Sequence, residues 1–194
     1  MTKQELVARL KADALSNRFA LEGEYLIFDK KSNLTYKVLD HFTLKELLTA
    51  NPVSKTKLNV NLLVALNAIR AEVNAPITIR ASYHSPEYHL LNFGAVNSDL
   101  YTKGDAFSLG VPDDKLETLI HAVKDTNNFK AGEIGIYNWG VHIGVTKDVK
   151  EWDTRSDTST KRTIFNFLSN DKMKNIALIG AAGAAVWFFF IRKK

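Results

Sequence analysis

An α+β domain followed by a C-terminal transmembrane helix is the fold class this chain predicts, on three observations. Segments with a helical apolar period alternate with short strand-like runs bounded by turn residues. At 194 residues the chain is long enough for one domain with a core that needs no disulfide or metal staple. The last twenty residues change character, because Ile176 to Ile191 is an uncharged apolar run.

Composition excludes several classes. The chain has no cysteine, which removes disulfides and thiolate metal sites. Its net charge is +5 and its pI near 9.3, with Lys and Arg spread along the whole length. That spread suits solubility, or attraction to anionic polymers or lipid heads. No zinc-finger spacing or aromatic-basic repeat appears, so nucleic acid is not an expected partner.

The elements follow in order. Lys3, Glu5, Arg9, Lys11 and Asp13 break any apolar run at the start, so the N-terminus does not read as a signal peptide; Leu6, Leu10 and Ala14 predict an amphipathic helix there. Tyr25–Phe28 and Leu34–Val38 read as a hairpin across Asp29–Asn33. Thr43 with Glu46 is a capping box. Asn59 or Asn61 opens the strongest helix, with Leu62, Leu63, Leu66, Ile69 and Val73 on the 3.6 period and Pro76 after it. Ile77–Ala81 is a strand, Ser82 to Pro86 a loop, and Gly104–Leu109 another strand. A helix begins near Asp113, and Glu133–Tyr137 with Val141–Val145 form a hairpin.

Residues 151–163 are polar and read as a linker. Ile164, Phe165, Phe167 and Leu168 suit a membrane interface. The sixteen residues from Ile176 to Ile191 span about 24 Å as a helix, slightly short for a bilayer. Lys172 and Lys174 before the run, and Arg192, Lys193 and Lys194 after it, can snorkel to the interface, and Trp187 lies toward one boundary. A buried core helix is the competing reading. With charge on both sides, the positive-inside rule does not choose an orientation; a tail anchor inserted from the cytoplasmic side is the simplest topology. The expected organisation is therefore a helix and hairpin over 1–40, a domain over 41–150, a linker with an interfacial segment over 151–175, and an anchor over 176–191.

The order of landmarks carries a resemblance. Phe42–Leu47, Asn61 to Arg70, Pro76–Ile79 with Ala81-Ser82-Tyr83-His84-Ser85-Pro86, Gly104 with Ala106, and Val141-His142-Ile143 together resemble the zinc D-Ala-D-Ala carboxypeptidases and related peptidoglycan peptidases. That resemblance implies a hedgehog-like α+β fold, a small antiparallel sheet with packed helices, over residues 41–146. The family motif is Ser-x-His-x-x-Gly-x-Ala-x-Asp. Aligned on Gly104 and Ala106, it puts Tyr101 at the His position and Ser108 at the Asp position, while His142 matches the last ligand. A neutral tyrosine and a serine are poor zinc ligands. Strand parity keeps Asp105 off the face that Ser108 shares with Ala106. His84 stands where the family has a substrate-binding arginine; a ligand set rebuilt from His84, His89 and His142 is a minor alternative.

The catalytic carboxylate is missing as well. The two family positions for it hold Trp139 and Gly144, and Glu133 is nine residues from His142, at the far end of the hairpin. The expectation is thus a degenerate, catalytically inactive relative with no cofactor. Its relict cleft would comprise His84, Tyr101, Ser108 and His142, and it would work as a structural or binding protein in a bacterial inner membrane or a phage virion membrane. Expected partners are membrane lipid, and peptidoglycan peptide or another structural protein. The alternative is an active zinc peptidoglycan peptidase at the cell envelope.

Overall fold

Capping chemistry sets where the helices begin. The structure is a computed structural model that describes residues 1–48, 55–93, 99–126 and 132–155. Helix α1 (Lys3–Asn17) starts at Thr2, whose side chain takes the Glu5 N–H while Glu5 reaches back to the Thr2 N–H. Thr43 and Glu46 repeat that box at α2 (Leu44–Leu47). Asn59 caps α3 (Val60–Val73) through the Asn61 N–H. Then come α4 (Pro86–Phe93), α5 (Leu100–Lys103) capped by Asp99, and α6 (Leu116–Asp125), entered through a 3-10 turn at Asp113–Lys115.

The strands are β1 (Ala20–Glu22), β2 (Tyr25–Phe28), β3 (Lys37–Leu39), β4 (Phe42–Thr43), β5 (Thr56–Asn59), β6 (Thr78–Ala81), β7 (Ala106–Gly110), β8 (Gly132–Tyr137), β9 (Gly140–Val145) and β10 (Lys150–Asp153). They form a three-stranded sheet, β1-β2-β5, a two-stranded one, β3-β4, and a five-stranded sheet in the order β10-β8-β9-β7-β6. The large sheet is antiparallel except where β10 runs parallel to β8. The architecture is α+β.

Period-two alternation gives the large sheet two unlike faces. Phe107, Leu109, Ile134, Ile136, Val141 and Ile143 are buried in one core with Leu62, Leu63, Leu66 and Ile69 of α3 and Leu119 and Val123 of α6. Leu6 and Leu10 bring α1 into that core, and Met1–Asp153 form one compact unit. The opposite face carries Ser108, His142, Glu133 and Gly135, and the candidate site lies there.

Two expectations are corrected. The hairpin of Tyr25–Phe28 with Leu34–Val38 does not form: β2 pairs with β1 and β5, while β3 pairs with β4. Asn33 is the reason, since its side chain takes the Thr35 N–H and its carbonyl the Tyr36 N–H, which extends the turn to the start of β3. The linker expected from 151 begins instead with strand β10. Four residues with charged Lys150, Glu151 and Asp153 exposed show no apolar pattern, as befits an edge strand. The loop after β6 runs into α4, started by Ser85, whose hydroxyl accepts the Tyr88 N–H. The remainder of the linker, the interfacial segment and the anchor with Ile176, Trp187 and Ile191 lie outside the described residues. Among the described residues no helix is long and apolar enough to cross a membrane.

Candidate functional site

Tyr101, Ser108 and His142 come together. Ser108 and His142 are direct partners in the β7–β9 ladder, so the backbone fixes their side chains on one face. Tyr101 arrives from α5, a single helical turn held by the Asp99 cap at one end and by Gly104 in a left-handed conformation at the other. Its hydroxyl lies 2.5 Å from Ser108 Oγ and 2.8 Å from His142 Nδ1. Burial, opposed by the Ser108 hydrogen bond, pushes the phenol well above its usual range, so the hydroxyl keeps its proton.

Glu133 completes the group and corrects the expectation that it lies too far away. The two-residue turn at Asn138-Trp139 pairs Gly135 with His142 and Glu133 with Gly144, which makes Glu133 a diagonal neighbour on the His142 face. Its Oε2 is 3.7 Å from His142 Nε2, and its Oε1 binds Lys150 Nζ at 3.0 Å. Counting residues along the chain hid this contact; counting across the turn finds it.

The proton order follows from the acceptors. A carboxylate accepts only, so Glu133 favours the His142 tautomer with hydrogen on Nε2. Nδ1 then accepts from Tyr101, and Ser108 donates to the tyrosine oxygen. Burial lowers the pKa of His142 while Glu133 and Asp99 raise it, with burial the largest cause.

His84 and His89 lie beside Tyr101, and His89 lines the cavity next to it. The His84 ring stacks on Tyr101 at 4.9 Å between centroids, and its Nδ1 faces His89 Nδ1 at 3.3 Å. His89 is buried, with Nε2 3.2 Å from Asp99 Oδ2. A cavity of about 390 Å³ opens between His89 and Asp99 on one side and His142, Glu133 and Lys150 on the other, with Tyr101 in its wall. A larger cavity of about 560 Å³, between the start of α1 and the end of β9, has Thr2, Asn61 and Thr146 on its wall but no histidine or carboxylate.

Tyr101, Ser108 and His142, the positions the resemblance assigns to zinc ligands, do not fit zinc as they are arranged. Two donors on one tetrahedral zinc, each at ~2.0–2.1 Å, stand about 3.3 Å apart. The tyrosine oxygen is closer than that to both Ser108 and His142, so these atoms bond to one another and leave no room for an ion between them. Among the described residues no group of three or more His, Asp or Glu side chains is placed to hold one metal.

Both family positions for the catalytic carboxylate are otherwise engaged. Trp139 stacks on Tyr137 at 5.0 Å, with the Arg80 guanidinium 5.1 Å from its ring. A side chain at Gly144 would meet Leu100 Cδ1 at 2.5 Å.

Asp105 points away from the site, as parity requires. It accepts from Asn59 Nδ2 at 2.9 Å and from the Tyr25 hydroxyl at 3.1 Å, tying β7 to the cap of α3 and to β2. Asp105→Ala is expected to lower stability by about 2 kcal/mol, the cost of leaving two partly buried donors unpaired, without changing metal content. Urea melts and metal analysis of the variant check both parts.

A pH dependence follows from the histidines. His84 is also held below its ordinary pKa, by burial and then by His89. A base with a depressed folded pKa takes its proton more readily in the unfolded chain. The stability linked to His84 and His142 is therefore fully present above the ordinary value of about 6.5 and is lost as pH falls below it. Thermal melts are expected to fall through that window, with a shallower fall for His142→Gln.

Comparison of the chain with protein-family models, with curated proteins and with solved structures returned no match.

Proposed function

We propose that the chain is a catalytically silent relative of the zinc peptidoglycan peptidases that binds rather than cuts, held at a membrane by Ile176–Ile191. One observation carries the reading: the Tyr101 hydroxyl, bonded to Ser108 and His142, stands where the family alignment requires a metal. A hydrogen-bonded tyrosine offers no Lewis acid and no activated water. What the face does offer is a cavity with carboxylates, lysine and imidazoles on its wall, suited to a polar peptide. A peptidoglycan stem peptide or a segment of another structural protein fits that chemistry. In a bacterial inner membrane or a phage virion membrane, the anchor would fix this surface close to the bilayer.

The test uses the full chain in detergent micelles. Metal analysis is expected to give less than stoichiometric zinc, and sedimentation with insoluble peptidoglycan is expected to show saturable binding that Tyr101→Ala abolishes. Stoichiometric zinc lost in His142→Ala would sink the reading. Deleting residues 176–194 is expected to move the protein from the membrane fraction to the soluble one.

One observation favours the alternative of an active zinc peptidase. Glu133 brings a carboxylate to His142 that the family positions lack. Tyr101 would then have to swing out to admit zinc; release of D-Ala or peptide from peptidoglycan, dependent on Glu133, would establish it.

A further inference from the structure

Among the described residues, helix α4 is docked chiefly through its one buried histidine and the rings around His84. Among its residues only His89 is buried, while Leu90, Leu91 and Phe93 are each more than half exposed. Apolar burial normally holds a short helix in place. Here the contacts are the His89–Asp99 pair, the meeting of His89 with His84, and the stacking of His84 on Tyr101. We propose that His84 and His89 form an acid-operated latch that holds α4 over the cavity containing His142 and Glu133.

The argument is donor counting. Asp99 accepts only, so His89 keeps hydrogen on Nε2. The two Nδ1 atoms, 3.3 Å apart, can share one hydrogen. In the neutral pair His84 donates to His89. With one proton added to the pair, the facing Nδ1 atoms still share one hydrogen and His89 Nε2 still donates to Asp99, so every group is satisfied. A second proton puts an N–H on both facing atoms. Their hydrogen bond is then lost, and two like charges face each other with ring centroids 5.6 Å apart. The pair holds at one proton and breaks at two.

The other groups around His84 relieve the second charge only in part: Asp99 favours it, but burial and His89 oppose it more strongly. Asp99 on α5 is already engaged by His89. Tyr101 on α5 keeps its proton, and Tyr88 on α4 presents its ring at 5.2 Å. Phe93 stacks on both imidazoles, so its face favours one cation on the pair wherever it sits. Burial and the neighbouring His89 both push His84 toward the neutral form in the docked state. Taking the second proton therefore favours release of α4, which takes His89 out of the cavity wall and leaves Asp99 behind on α5.

Hydrogen exchange of the full chain in detergent micelles, with amides of α3 as the internal reference, reads this opening directly and needs no ligand. Between about pH 7.5 and about pH 5, the window in which histidine titrates, α4 exchange corrected for intrinsic rates is expected to accelerate. The gain is about tenfold for each unit by which docking depresses the His84 pKa. His84→Phe keeps a ring on Tyr101 but takes no proton, so its α4 exchange is expected to stay flat. Equal protection of wild-type α4 at both ends of the window, or equal acceleration in His84→Phe, would overturn the latch. Should exchange of α3 show that His84→Phe does not fold, imidazole nitrogen shifts of the wild type decide. Two separated protonation steps on the pair support the latch, and two independent ordinary titrations overturn it.

Discussion

Gly104→Ala is expected to cost the domain about 3 kcal/mol or more, which places it among the severe single substitutions. Gly104 has φ +79, a left-handed conformation that costs a residue with a Cβ about 1–2 kcal/mol by itself. The added Cβ would also stand 2.1 Å from the Lys57 carbonyl oxygen and 2.7 Å from its carbon. Those are backbone atoms of β5, paired to β2, and they have no rotamer by which to yield. Gly104 further accepts the Asn59 N–H at 2.9 Å, so a displacement reaches the residue that caps α3. It also ends α5, and moving it moves Tyr101. For a domain of this size the loss corresponds to a fall in Tm of roughly 6–12 °C. A urea melt giving a loss under about 1 kcal/mol would show that β5 and α5 can separate freely.

The same glycine shows what was legible in the sequence. Gly104 and Ala106 set the frame for Tyr101 and Ser108, the Val141-His142-Ile143 strand supplies His142, and the three side chains meet. Parity correctly kept Asp105 off that face, because period two is a property of the backbone and needs no tertiary information. The helix starts at Thr43 and Asn59 were legible for a similar reason, since a capping side chain bonds to its own neighbours.

What escaped depends on contacts between distant residues or on elements too short to show a period. Glu133 was discounted by its distance along the chain, although a two-residue turn makes it a cross-strand neighbour of His142. Strand β10 is stabilised by Trp152, which lies over the position of a missing Gly135 side chain and donates to the Tyr137 hydroxyl at 3.0 Å. Neither contact leaves a mark in four residues of edge strand. Helices α4 and α5 have eight and four residues, too few for an apolar stripe to stand out, and α4 is docked by a buried histidine where a pattern reading looks for leucine. Strand β1 has only three residues, and its hairpin turn at Gly23 competed in the sequence with the richer turn chemistry of Asp29–Asn33.

Tyr101→His combined with Ser108→Asp is expected to create a tight zinc site. A histidine Nε2 at position 101 stops roughly 2 Å short of the present hydroxyl, about one Zn–N bond length, so an ion would sit close to where that oxygen now lies. His142 Nδ1 already faces that point from 2.8 Å. Its other nitrogen faces Glu133, the carboxylate backing that orients a metal-bound imidazole. Ser108 Oγ lies 2.5 Å from the same point, and aspartate there supplies a charged oxygen on a strand whose register with His142 is fixed. At a hundredfold excess over its Kd, zinc would stabilise the double variant by about 2.7 kcal/mol. That is a rise in Tm of roughly 5–10 °C, against none for the wild type. Peptidase activity is expected to stay low even with zinc bound. Leu100 covers Gly144 and Trp139 is stacked between Tyr137 and Arg80, so neither family position can deliver a base, and Glu133 is committed to Lys150 and His142. A double variant that folds but shows no zinc-dependent shift would mean that Gly104 and Ala106 set a different frame, and the proposed resemblance to the peptidases would fall with it.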